Sequence, residues 1–158
     1  MPDKTSILFV CMGNICRSPT AHGVMRKLLE DEGGSLNIEL DSAGTHAWHV
    51  SEAPDPRAQR AALARDVDIS DLHARAVETS DFHEFDYILA MDHDNLAHLD
   101  KIRPPNSTAI VALMLSFAEK TSVQEVPDPY YGGKEGFERV LDMLEDASRG
   151  LLTELRQR

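Results

Sequence analysis

A chain of 158 residues with 42% hydrophobic and 27% charged side chains has the size and composition of one globular domain with one adequate core. Sixteen Lys and Arg against 27 Asp and Glu leave a net charge of −11, which argues against nucleic acid or an anionic membrane as the main partner. No apolar stretch approaches the roughly 20 residues that cross a bilayer, and Met1-Pro2-Asp3-Lys4 leads into a strand with no apolar signal core, so a cytoplasmic chain is expected.

In chain order, residues 6–10 form a short apolar run that predicts a buried strand. Ser18-Pro19 then reads as an N-cap followed by a proline at the first helical position, where its missing N–H costs nothing. Ala21, Val24, Met25, Leu28 and Leu29 recur at helical spacing until Gly33-Gly34 stops the helix. Residues 37–43 alternate as a strand does, 57–65 suit a helix, and 87–91 and 110–114 suit two further strands. After Gly132-Gly133, the residues Phe137, Val140, Leu141, Leu144, Leu151, Leu152 and Leu155 mark one face of a long amphipathic helix. Strands separated by helices imply a mostly parallel sheet covered on both faces. Residues 42–56 and 122–133 are loops rich in Pro, Gly and polar side chains.

The chemistry concentrates in one loop. Both cysteines, Cys11 and Cys16, lie within residues 11–18, too few for a disulfide scaffold or a four-cysteine zinc site, so they read as reactive thiols. Ligands of open parallel sheets bind outside the carboxyl ends of strands. A run of backbone N–H groups closing there onto a helix N-terminus is an anion cradle. Gly13 can take a positive φ, with Asn14 the next best tolerated residue in that region. Arg17 supplies a fork matched to phosphate oxygens, and the same field favours a thiolate at Cys11. The loop thus holds a nucleophile beneath a bound phosphate.

Val10-Cys11-x-Gly13-Asn14-x-Cys16-Arg17-Ser18-Pro19 resembles the signature loop of the low-molecular-weight protein tyrosine phosphatases, which follows their first strand. The likeness continues through Asp41-Ser42-Ala43-Gly44-Thr45, Trp48 and Pro54-Asp55-Pro56-Arg57-Ala58, then 85–92 with Asn95, and Pro127-Asp128-Pro129-Tyr130-Tyr131-Gly132. It implies a single domain over 1–158: an α/β three-layer sandwich whose four-stranded parallel sheet is flanked by helices, with the phosphate-binding loop after strand 1. It also implies hydrolysis of phosphotyrosine in proteins, and of small aryl phosphates, through a phosphocysteine, with no metal or cofactor.

By that likeness Cys11 is the nucleophile, and Met12, Gly13, Asn14, Ile15, Cys16, Arg17 and Ser18 wrap the phosphate. Arg17 holds its equatorial oxygens, Ser18 donates to the thiolate, and Asp128 is acid then base. Asp128 must start protonated, so turnover should favour mildly acidic pH. Trp48, His49, Tyr130 and Tyr131 line the substrate pocket, flat surfaces suited to a phenyl ring. Ile15 stands where phosphoarginine phosphatases of the family carry threonine, which with the paired tyrosines favours phosphotyrosine. Met12 and His49 depart from the family's common leucine and asparagine, leaving fine specificity open. Cys16 is implied to trap an oxidised Cys11 as a disulfide, the alternative being a small buried residue. The expected partners are phosphotyrosine proteins, with the chain a monomer or a weak homodimer.

Other departures and readings stay beside this one. Where the family often has a histidine supporting the loop asparagine, this chain has Leu72, with His73 one position later, so that role is not carried over. The glycine often found after the pocket tryptophan is absent from Val50-Ser51-Glu52-Ala53. Trp48, Tyr130 and Tyr131 could instead be packing residues, and Asp128 an ordinary turn residue. His46-x-x-His49 lacks a third metal ligand. Asp92-His93-Asp94-Asn95 resembles the Asp-x-Asp nucleophile of magnesium-dependent haloacid-dehalogenase-like phosphatases but lacks their following threonine. Arsenate reduction by a disulfide relay needs cysteines beyond Cys16, and there are none. A phosphoarginine phosphatase, or a phosphotyrosine-binding module with an inactive loop, completes the alternatives.

Overall fold

Ile7-Leu8-Phe9-Val10 carries apolar side chains at consecutive positions, a pattern that a strand buried on both faces can use. In the computed structural model, which describes residues 3–130 and 132–158, this run forms β1 (Thr5–Cys11), and all four side chains are fully buried. β1 pairs in parallel with β2 (Ile38–Gly44) on one side and with β3 (Tyr87–Ala90) on the other. β3 in turn pairs in parallel with β4 (Ile110–Leu113), giving the order β2-β1-β3-β4.

Helices cover both faces. Ile7, Phe9, Tyr87 and Leu89 pack under Met25 of α1 (Arg17–Glu32) and Leu144 and Leu151 of α5 (Lys134–Arg156). Leu8, Val10 and Ile88 face Phe82 of α3 (Asp81–Glu84) and Leu99 of α4 (His93–Ile102). Each such buried aliphatic or aromatic side chain contributes about 1.5–3 kcal/mol. A third cluster joins α2 (Pro56–Leu63), through Ala58 and Ala62, to Cys16, Val24, Phe137 and Leu141. The C-terminal helix can lie this close because residue 150 is glycine: a Cβ there would sit 1.7 Å from the carbonyl oxygen of Phe117, in the 3-10 turn Met114–Phe117.

The expected sandwich is therefore present, and its elements differ from expectation in detail. Ser18 does not cap α1. Cys16 occupies the cap position, and Ser18 is the second helical residue, its hydroxyl turned to Cys11 instead of to the helix backbone. Pro19 still falls among the first four residues, whose N–H groups have no intrahelical partner. α2 starts one residue before the expected 57 because Asp55 caps it, accepting from the Arg57 N–H at 2.8 Å. It ends before the expected 65 because Asp66 turns the chain with φ 62°. α3 was not anticipated as a helix, whereas Asp94 fits a short helix as a first-turn acid, and it stands in the first turn of α4. Asp92 caps α4 by accepting from the Asn95 N–H at 2.8 Å. Among the described residues no helix is long and apolar enough to cross a membrane.

From β1 the chain builds β2 on one side, and then crosses to build β3 on the other. The crevice at the carboxyl ends of β1 and β3 is the topological switch point, the usual ligand position in such sheets.

Candidate active site

The loop from Cys11 to Arg17 lies at this crevice. Asn14, with φ 58°, is the residue in the left-handed region, and Gly13 is not. Gly13 is needed for space: a Cβ there would lie 3.1 Å from His49 Cδ2. Loop and neighbours are tied by the backbone, with Thr45 N–H donating to Cys11 O at 2.9 Å, His46 N–H to Met12 O at 3.0 Å, and Asp55 N–H to Ile15 O at 2.8 Å.

Asn14 is 2% exposed and both ends of its side-chain amide are engaged. The backbone N–H of Arg75 donates to Asn14 Oδ1 at 3.0 Å, which turns the Nδ2 group toward Ser18 Oγ at 2.7 Å. Because Ser18 Oγ accepts there, its own proton is free to point to Cys11 Sγ at 3.0 Å, a shorter contact than the 3.5 Å to Ala43 O. The Asn14 N–H also faces Cys11 Sγ, at 3.3 Å. Two donors thus converge on one buried sulfur. Arg75 is itself locked, its guanidinium bridging Asp41 at 3.1 Å and Asp81 at 3.0 Å.

Arg17 is 3% exposed. Its Nη1 donates to Asp92 Oδ2 at 2.6 Å and to Val126 O at 3.0 Å. Nε and Nη2 have no protein acceptor among the described residues, which leaves a two-pronged fork for an oxyanion. Burial opposes the Arg17 charge, but the Cys11 thiolate, the Asp92 hydrogen bond and the charges of Asp92 and Asp128 outweigh it and raise its pKa. Cys16 is the second thiol of the loop. Burial above all, and then the charges of Asp55, Cys11 and Asp128, push its thiol up to about 12, so it stays protonated at neutral pH.

These groups surround a cavity of about 170 Å³ lined by Cys11, Met12, Gly13, Ile15, Cys16, Arg17, Trp48, His49, Asp128 and Tyr130. The expected residues are therefore brought together, with Asn14 and Ser18 supporting from behind, while Tyr131 lies outside the described residues. Asp128 is exposed, and its Oδ1 accepts from the Tyr130 N–H at 3.0 Å. Trp48 is 65% exposed and stacks on His46 with ring centroids 4.5 Å apart. His49 pairs with Glu52 at 2.9 Å, so the two histidines of His46-x-x-His49 are engaged separately. Leu72 packs against the third core cluster, and His73 is exposed with its Nδ1 near Asp71 O.

In the sequence Asp92 was given a chemical role only as a rival nucleophile. Both its oxygens are taken, Oδ1 by the Asn95 N–H and Oδ2 by Arg17, and Asp94 is exposed. Its place at the end of β3, across the switch point from Arg17, was the available signal. The roles of the Arg75 N–H and the Val126 carbonyl left no sequence signal, being backbone groups.

A paired thiol and arginine fork at the carboxyl edge of a parallel sheet define the class of cysteine-dependent phosphatases. The family described as low molecular weight phosphotyrosine protein phosphatase matches residues 6–158, and the chain belongs to it. The low molecular weight phosphotyrosine protein phosphatase of Schizosaccharomyces pombe is 42% identical over 153 residues, covering 96% of this chain and 97% of its own. A protein tyrosine phosphatase from Entamoeba histolytica superposes with a TM-score of 0.92 at 40% identity, covering 97% of both chains. The Drosophila arginine phosphatase superposes with a TM-score of 0.87 at 29% identity over 94% of this chain and 96% of its own. The chain is thus an enzyme of the protein-tyrosine-phosphatase kind, acting on phosphoproteins.

Proposed function

We propose that the chain, acting over 1–158 as one domain, hydrolyses phosphotyrosine through a phosphocysteine at Cys11. The observation that carries this is the set of donors on one sulfur, Ser18 Oγ at 3.0 Å and Asn14 N–H at 3.3 Å, at the floor of a cavity that also holds Arg17 and Asp128. In the first step the Cys11 sulfur forms a bond to phosphorus as the bond to the phenolic oxygen breaks, and Asp128 gives its proton to that oxygen. In the second, Asp128 takes a proton from water as the water oxygen bonds to phosphorus, and the sulfur leaves as a thiolate. Arg17 Nε and Nη2 hold the equatorial oxygens, where charge accumulates in both steps. Ser18 stabilises the sulfur as nucleophile and as leaving group.

Asp128 Oδ1 is held by the Tyr130 N–H, which leaves Oδ2 for the proton transfers. No metal or cofactor enters either step. Trp48, Tyr130, Ile15 and Met12 give the cavity apolar walls that suit a phenyl ring. A guanidinium leaving group needs acceptors, and Ile15 offers none, which favours phosphotyrosine over phosphoarginine. Cys16 is assigned a protective role that begins once oxidation removes the Cys11 charge, one of the causes that raise its thiol: peroxide oxidises Cys11 to the sulfenic acid, and Cys16 loses its proton and condenses with it, releasing water and forming a Cys11–Cys16 disulfide.

The test is hydrolysis of p-nitrophenyl phosphate in excess EDTA from pH 5 to 8, with the wild type, Cys11→Ser and Asp128→Ala in parallel. Turnover that survives EDTA, is abolished by Cys11→Ser and falls about a hundredfold with Asp128→Ala is expected. Magnesium-dependent turnover that tolerates Cys11→Ser would overturn the thiol mechanism, and a rate flat across this range would overturn the role of Asp128. Phosphotyrosine and phosphoarginine peptides compared side by side decide the substrate.

A further inference from the structure

A second hollow, of about 510 Å³, adjoins the first. Tyr130 lines the phosphate cavity, Arg57 lines the second hollow, and the Arg57 guanidinium sits 5.1 Å from the centroid of the Tyr130 ring. One stacked pair therefore separates the two. The same guanidinium lies 5.2 Å from the centroid of the Phe137 ring, so it contacts two aromatic neighbours.

The charge of this hollow runs against that of the chain. In a molecule of net charge −11, Arg57, Arg60 and Lys134 line one depression. Its one acidic lining residue, Glu138, is already paired with Arg65 at 2.8 Å. Arg57 is shared with Asp55 at 2.9 Å, whereas Arg60 and Lys134 are exposed and have no ion-pair partner among the described residues. The remaining lining is largely apolar, with Ala61 and Phe137 beneath the charges. A short aliphatic stem ending in a carboxylate complements both parts.

We infer that this hollow is a subsite for an acidic side chain of the substrate, carried on the same peptide as the phosphotyrosine and passing over the Tyr130–Arg57 pair. The inference rests on the phosphotyrosine reading above and adds a sequence preference to it. Arg60 and Lys134 are its specificity-determining residues.

The experiment compares three peptides that differ only beside the phosphotyrosine, with Glu, Ala or Lys at the flanking positions on either side. Each is assayed with the wild type and with the double variant Arg60→Glu/Lys134→Glu. Each kcat/KM is divided by that for p-nitrophenyl phosphate on the same protein, so that any loss of folded enzyme cancels. For the wild type, the Glu peptide should exceed the Lys peptide by about fivefold or more, as two exposed charge pairs allow. The double variant should reverse that order. A wild type indifferent to the flanking charge, or a double variant that keeps the wild-type order, overturns the subsite. A wild type that hydrolyses p-nitrophenyl phosphate but none of the peptides also overturns it. Loss of turnover on p-nitrophenyl phosphate itself would overturn the phosphatase reading, and the subsite with it, and is visible separately.

Discussion

Arg17 and Asp92 meet at 2.6 Å across the switch point of the sheet, joining the loop after β1 to the cap of α4 after β3. This pair ties the phosphate fork to the opposite side of the crevice. It predicts that Asp92→Asn, which preserves shape and removes charge, lowers kcat/KM on p-nitrophenyl phosphate about ten- to a hundredfold and weakens inhibition by inorganic phosphate. An arginine left buried without its counter-charge should also cost about 3 kcal/mol of stability, read by urea unfolding. Unchanged phosphate inhibition would show that the fork is held without Asp92.

Ser18→Ala removes a donor to Cys11 Sγ and an acceptor for Asn14 Nδ2. Since the sulfur is the leaving group of the proposed second step, the variant should accumulate phosphocysteine. The expected outcome is a kcat about tenfold to a hundredfold lower, with a pre-steady-state burst of p-nitrophenol approaching one per site. A slow linear release with no burst would place the loss in the first step instead.

Gly13→Ala sets a Cβ 3.1 Å from His49 Cδ2, so the His49 ring must shift at the cavity wall. KM should rise several-fold with kcat less affected. His49→Ala in the same chain should restore much of the loss, because the new methyl then has space. Failure of that rescue would show that the cost lies in the loop backbone.

His22, on α1, is 7% exposed and its Nδ1 has no hydrogen-bond partner among the described residues. Burial, and then the neighbouring Arg26 charge, push it down to about 4 from an ordinary value of 6.5. Between these values the unfolded chain binds a proton that the folded chain does not. Stability should therefore fall as pH drops from 6.5 toward 4, by about 1.4 kcal/mol per unit and about 3 kcal/mol in all, and this group should have no effect above 6.5. Urea unfolding at pH 7, 6, 5 and 4.5 measures it, and His22→Gln should flatten the slope.

The sequence by itself determined the layout and marked the candidate reacting groups. An uninterrupted apolar run at residues 7–10 makes a doubly buried strand, and the heptad-like stripe from Phe137 to Leu155 makes the covering helix, because burial of apolar area follows from local pattern. Cys11, Arg17 and Asp128 were legible because their motifs are compact. What tertiary structure alone decided is how those groups are held. Ser18 could be read as a cap until β2 set Ala43 and the loop amides beside it. The positive φ expected of Gly13 falls on Asn14, and Gly13 is needed instead for the space beside His49. Asp92, the Arg75 N–H and the Val126 carbonyl are 61 to 109 residues from the loop groups they support. Hydrogen bonds at 2.6–3.0 Å between such distant positions depend on how the sheet brings its carboxyl ends together, and a local pattern of residues carries no record of that.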